Sequence, residues 1–198
     1  MTVLITTSRR PTRRTRSLCN DLVKVIPGAV KVNRGKMSIK DVAAKTLELN
    51  ANAAIIISVY RGNPGKIWFL QVTEHSYGWV PPDILLAGVK LQREFGYFKL
   101  PPFRKLAVTI SEETKDELEK LAKALSNILK VPLIYIPISH KELLKQQVKD
   151  FDVTLHVDND PQFKAAIKFI QTVDGKEIGP RIRIKKMFWQ IKRVFKIE

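Results

Sequence analysis

The feature that most constrains the fold is a repeated order of elements. A strand-like run, "TVLITTS" (2–8), leads into a helical pattern with Leu18, Leu22 and Ile26 on one face, closed by Pro27 and Gly28. "AVKVNRG" follows as a second strand, and a second helix starts at Ser38 with Ile39, Val42, Ala43 and Leu47 at helical spacing. Ser38 suits its N-cap, and Asp41 suits its first turn. "AAIIISVY" (53–60) is apolar and β-branched, as a strand buried on both faces should be. "GNPGK" (62–66) reads as a hairpin turn, "IWFLQV" as the next strand and "DILLAGVKL" as a further one.

The order begins again at Lys105, offset by roughly 100 residues. "KLAVTIS" is a strand, and "SEETKDELEKLAKALSNIL" is an amphipathic helix carrying Leu118, Leu121, Leu125 and Ile128, with Ser111 as its expected N-cap. "PLIYIPIS", a helix over "SHKELLKQQVKDF", "DVTLHV", "FKAAIKFIQTV" and "PRIRIKK" complete the series. The expected fold is therefore α/β, with two similar βαβαβ-type halves (an internal duplication) and additional antiparallel strands. The halves span 1–100 and 104–198 of a single domain and join around "FGYFKLPPF" (95–103). Short strand–helix connections of this kind imply parallel strands with right-handed crossovers.

Charge separates the two halves. The chain carries 35 Lys and Arg against 19 Asp and Glu, a net charge of +16 and a pI near 10.0. Such an excess favours a polyanionic partner, nucleic acid before an acidic membrane. Residues 1–104 hold 17 of the cations and only 6 of the acids, so most of the excess lies in the first half. The first strand–helix junction reads "SRRPTRRTR" where its counterpart reads "SEETKDELE". Acids at a helix start complement its dipole, and cations oppose it. The second junction follows that rule and the first inverts it.

Several classes of function find no support. The apolar run "AAIIISVY" is far below the roughly 20 residues of a membrane helix. The opening "MTVLITTSRR" is not expected to act as a signal peptide, because its charges follow the short apolar run. A single cysteine, Cys19, fits a reducing compartment, and a cytoplasmic location is expected. His75, His140 and His156 are scattered without metal-ligand spacing. "GNPGK" lacks the spacing and the following Ser or Thr of a phosphate loop. No nucleophile–base motif appears. A non-enzyme without cofactor or metal is expected.

Three basic clusters remain. The first is Arg9, Arg10, Arg13, Arg14 and Arg16, five arginines within eight positions. The second is Asn33, Arg34 and Lys36 after the second strand, joined by Arg61 at the end of the third. In a parallel sheet these positions share the carboxyl ends of strands, where open α/β sheets bind ligands. The third is "GPRIRIKKMFWQIKRVFKIE": Arg181, Arg183 and Lys185 alternate with Ile182 and Ile184, then Lys186, Lys192, Arg193 and Lys196 follow, with Phe188 and Trp189 between. Arginine forks bind phosphate bidentately and stack on bases. Free N–H groups at a helix start add to an anion site.

The residues also carry a family resemblance. "ITTSRRPTRRTRSLCNDL", "VKVNRGKMSIKDVAA", "ISVYRGNPGKIWFLQVTEHSYG" and "GKEIGPRIRIKK" resemble, in order and over most of the chain, the four blocks of Brix-domain proteins. The match is firmest at Ser8, Arg9, Arg34, Gly35, Arg61, Gly62, Gly179 and Pro180, and nearest the subgroup that includes a component of the eukaryotic small-subunit processome. The chain lacks the long charged extensions of eukaryotic members and looks like the bare module of an archaeal homologue. The resemblance implies a ribosome biogenesis factor that binds ribosomal RNA or its precursor and assists its processing. It implies two halves, each related to the anticodon-binding domain of certain aminoacyl-tRNA synthetases. Together with the clusters it nominates Ser8, Arg9, Arg10, Arg13, Arg14, Arg16, Asn33, Arg34, Lys36, Arg61, Arg181, Arg183, Lys185 and Lys186 as the RNA-facing set. Expected partners are ribosomal RNA or pre-rRNA and, beside them, ribosomal proteins or other assembly factors. No membrane is expected, and the chain should be a monomer. The rival readings are a scaffold docking an acidic protein and an RNA-modifying enzyme.

Overall fold

Strand β1 (Val3–Thr7) has every residue buried, as its apolar and threonine run demands. It lies between two parallel neighbours, β2 (Ala29–Lys31) and β3 (Ala53–Tyr60). The computed structural model describes residues 2–96, 100–114, 116–137, 147–190 and 194–196. Among them, eleven strands form one sheet. The others are β4 (Asn63–Val72), β5 (Ser76–Lys90), β6 (Leu106–Ser111), β7 (Leu133–Ile136), β8 (Val153–Asp158), β9 (Ala165–Gln171), β10 (Arg181–Phe188) and β11 (Val194–Lys196). The order across the sheet is β2-β1-β3-β4-β5-β10-β9-β8-β6-β7, with β11 pairing β5 at its start.

Helices cover both faces. α1 (Arg13–Val25) and α3 (Glu117–Leu129) pack on the same side, while α2 (Ile39–Glu48) packs on the other. Period-2 alternation sorts each strand between these layers: Val3 and Ile5 meet α1, and Leu4 meets α2. Leu18 and Leu22 of α1, at 0% and 3% exposure, sink into the larger core. Each such leucine stabilises the fold by about 1.5–3 kcal/mol through burial. Among the described residues no helix is long and apolar enough to cross a membrane.

The pairings fix which ends of the strands coincide. β1, β2, β3 and β5 run one way, whereas β6, β7, β8 and β10 run the other. The carboxyl ends of β1 and β6 therefore lie at opposite edges of the sheet. The arginine-rich junction after β1 and the acidic junction after β6 point in opposite directions.

Four expectations need correction. The β3–β4 hairpin turns on Arg61 and Gly62, both at positive φ (47° and 79°), and 63–66 already belongs to β4. A two-residue turn of this hand matches the twist of the paired strands. Helix α3 begins at Glu117, behind Asp116, not at Ser111. The chain beyond Ser111 is still held to the sheet, with Glu112 donating its N–H to Ile136, so the helix waits for the turn that follows. β5 is fifteen residues long and starts well upstream of "DILLAGVKL". Alternation along β10 fails at Lys185 and Lys186, where a register shift leaves both exposed. The expected helix over 139–151 falls largely outside the described residues, as do His140, Lys192 and Arg193.

Candidate nucleic-acid interface

The first two basic clusters stand on the carboxyl ends of β2, β1 and β3. Ser8 continues β1 by donating its N–H to the Ile57 carbonyl at 2.9 Å, which fixes where Arg9 and Arg10 leave the sheet. Both arginines are exposed. Thr12 then caps α1, its Oγ1 accepting the Thr15 N–H at 3.3 Å. Because no acid stands in that first turn, Arg13, Arg14 and Arg16 sit against the positive end of the helix dipole. Each exposed cation there costs about 0.3–1 kcal/mol.

One arginine of this cluster is committed inside the protein. Arg14 donates through Nη1 to Glu94 Oε1 at 2.7 Å and through Nη2 to Glu94 Oε2 at 2.9 Å, and Nη2 also reaches the Val89 carbonyl at 2.7 Å. Glu94 in turn accepts the Leu91 N–H, and its carboxyl is held below the usual range, Arg14 being the largest cause. Arg16 donates to the Pro11 carbonyl at 3.4 Å. Arg9, Arg10 and Arg13 form no ion pair and no side-chain hydrogen bond among the described residues.

The second cluster divides in the same way. Arg34 is 6% exposed, and its Nε donates to the Met37 carbonyl at 2.7 Å, closing the loop ahead of α2. Burial, then the nearby Arg9, pushes its pKa down. Arg34, nominated for the RNA-facing set, thus closes this loop through its Nε. Ser38 and Asp41 complete the loop with reciprocal capping bonds of 2.8 and 3.1 Å. Those bonds, helped by Arg34 and Arg9, lower the Asp41 carboxyl. Asn33 and Lys36 are exposed beside this loop. Arg61 projects from the adjacent hairpin, its guanidinium 5.4 Å from the Tyr60 ring centroid.

The third cluster is split by geometry. Arg181 lies opposite Lys90 at the end of β5, and so shares the arginine edge. Like charges facing each other across strands are destabilising. Glu177 offsets this by accepting from Arg181 Nε at 2.7 Å, and both cations stand against the Phe95 ring, its centroid 4.0 Å from Lys90 Nζ and 5.7 Å from the Arg181 guanidinium. Arg183 is ion-paired to Asp160 at 3.2 Å. A groove lined by Lys90, Glu94, Arg181 and Arg183 connects this region to Arg14. Lys185 and Lys186 lie farther along β10, away from that edge, with Lys186 5.1 Å from the Phe188 ring.

Two cations of this region were missed in the sequence, Lys90 and Arg93. β5 runs parallel to β1 only because two hairpin reversals separate β5 from β3, and α1 lies near its end, where Arg93 Nη1 reaches Ser17 Oγ at 3.4 Å. Counting those reversals would have placed them.

Among the described residues no group of three His, Cys, Asp or Glu could hold a metal. Burial pushes the Cys19 thiol up to about 12. His156 is held down by burial and contacts Thr109 Oγ1 at 3.1 Å.

No protein-family model matches the chain. Curated relatives do. A protein of Thermococcus kodakarensis named "Probable Brix domain-containing ribosomal biogenesis protein" is 33% identical over 191 residues, covering 92% of this chain and 89% of its own. The chain belongs to the Brix-domain family. A Brix protein of the same name from Pyrococcus horikoshii is 32% identical over 206 residues, 99% of this chain and 91% of its own. Among solved structures, a ribosomal biogenesis protein of Aeropyrum pernix superimposes with a TM-score of 0.76 at 24% identity, covering 97% of this chain and 99% of that one. An archaeal Imp4-like protein superimposes with a TM-score of 0.61 at 21% identity, over 94% and 99%. These two likenesses give the Brix proteins' mixed α/β fold.

Proposed function

We propose that the chain is a non-enzymatic ribosome biogenesis factor that binds ribosomal RNA or its precursor along the edge carrying Arg9, Arg10, Arg13, Lys36 and Arg61. One observation carries the reading: Arg9, Arg10, Arg13 and Lys36 are exposed together and none is neutralised by an acid among the described residues. Self-repulsion on that edge is relieved when phosphates replace water there. The relatives named as ribosomal biogenesis proteins support the cellular setting. Strand order supports reading the two halves as copies of one unit, β2-β1-β3-β4-β5 from one edge and β7-β6-β8-β9-β10 from the other. In this reading each half is the counterpart of a synthetase anticodon-binding domain. The protein acts as a cytoplasmic monomer among ribosomal proteins or other assembly factors.

Fluorescence anisotropy with transcribed ribosomal RNA fragments tests this. With about six phosphates engaged, a fourfold rise in salt should lower affinity by roughly two to three decades. R9E/R10E/R13E should abolish tight binding while keeping the fold. Affinity indifferent to salt, or surviving the triple reversal, refutes the reading. A protein partner retained on this edge after nuclease treatment would instead identify a docking scaffold.

A further inference from the structure

A second cationic concavity lies at the opposite ends of the strands. Asn52 immediately precedes β3, Gln71 is near the end of β4 and Trp189 follows β10; with Lys120, Lys123 and Lys130 of the α3 region they line one cleft. Its volume is about 370 Å³, at the lower end of ligand-sized clefts. No carboxylate lines it. Lys123 is ion-paired to Glu119 at 2.7 Å, but Lys120 and Lys130 are exposed and have no ion-pair partner among the described residues. Lys120 Nζ stands 4.7 Å from the Trp189 ring centroid. The indole is pinned by its edge, Nε1 donating to Glu117 at 3.3 Å.

We propose that this cleft is a second RNA-binding site, which takes a single-stranded segment other than the one on the arginine edge. One protein would then hold two strands at once. The inference rests on the RNA-binding reading of that edge. Two exposed ammonium groups outside any ion pair among the described residues suit phosphate, the indole offers apolar contact to a base, and the exposed carboxamides of Asn52 and Gln71 can donate to and accept from base edges. An acidic protein surface would meet the same lysines on a flat or convex patch. A concave wall with an indole among them favours a base carried on its phosphate. Separation makes the sites independent. Asn52 and Arg61 bracket the 8 residues of β3, and at about 3.3 Å per step their separation is roughly 30 Å. No single nucleotide bridges that distance.

Energy transfer between two short single-stranded RNAs, one labelled with a donor and one with an acceptor, reads simultaneous binding. It is measured at concentrations where light scattering gives the monomer mass. The wild type should produce transfer. K120E/K130E, both changes at exposed positions, should lower transfer at least about tenfold while anisotropy still shows tight, salt-dependent binding of one strand. R9E/R10E/R13E should also lose transfer, yet keep weaker binding that adding K120E/K130E removes. Footprinting by lysine acetylation on the wild type gives a readout free of substitution: RNA should protect Lys120 and Lys130. Undiminished transfer in K120E/K130E overturns the second site, as does protection of these lysines by poly-glutamate but not by RNA. A wild type that binds one strand with salt dependence and shows no transfer removes the second site alone. A wild type that binds no RNA removes the arginine-edge reading as well.

Discussion

Arg14 and Arg9 sit five residues apart in one cluster, yet only the removal of Arg14 should cost stability. Arg14→Ala deletes a two-pronged bond to Glu94 and a bond to the Val89 carbonyl. Hydrogen bonds to charged partners contribute about 1.5–3 kcal/mol when well shielded. Here both side chains are about one-third exposed (31% and 33%), so solvent screening reduces the expected loss to roughly 1–2 kcal/mol. For a chain of this size that lowers Tm by roughly 2–8 °C. Arg9→Ala removes an exposed cation that lowers the pKa of Arg34 and has no ion-pair partner of its own among the described residues. Its effect should be neutral or stabilising by up to about 0.5 kcal/mol. Thermal melts followed by circular dichroism separate the two. Acid adds a second test. Glu94's folded pKa lies below its unfolded value near 4.3, so its contribution is complete above that value and disappears as pH falls through the lower folded one. The gap between wild type and Arg14→Ala should therefore narrow on acidification below about pH 4, leaving the part carried by the Val89 carbonyl. An Arg14→Ala protein as stable as wild type at neutral pH, or an Arg9→Ala protein that loses more, would refute this division of the cluster.

Three further outcomes follow from packing and capping. A Cβ at Gly65 would come 2.3 Å from Tyr60 Cβ and 2.9 Å from Tyr60 N, a clash with backbone that cannot swing away. Gly65→Ala should cost about 1–3 kcal/mol in urea unfolding, and an unchanged midpoint would show that the hairpin shifts freely. Ser38→Ala removes the side-chain acceptor of the α2 capping box and should cost about 0.5–2 kcal/mol by the same measurement. Cys19 is fully buried with its thiol pushed up to about 12, so alkylation in native buffer should proceed only as fast as the protein unfolds. Rapid native labelling would place Cys19 at the surface instead.

Where a signal was local, the sequence disclosed the structure. Leu18 and Leu22 are buried on the predicted face of α1, and Ser38 caps α2. "AAIIISVY" is a strand with its first five residues buried. The parallel placing of the first three strands followed from their short helical connections, which brought Arg9, Lys36 and Arg61 to one edge. Ser111 failed as a cap because sheet pairing continued past it, which the acidic run "SEETKDELE" did not reveal.

Periodicity and capping chemistry act over a few residues, so the amino-acid order alone determined the element types, their buried faces and the concentration of charge in the first half. The fate of each charge depended on what arrived from far along the chain. Glu94 stands 80 residues from Arg14 and neutralises it, while Arg13 beside it meets no acid among the described residues. Arg34 folds back on Met37 and leaves the surface. Lys90 and Arg181 meet only because β5 and β10 pair antiparallel at the centre of the sheet. The sequence sets how much charge a segment carries. Only the tertiary structure, by choosing each charge's neighbours and its share of solvent, decides which cations remain free for a polyanion.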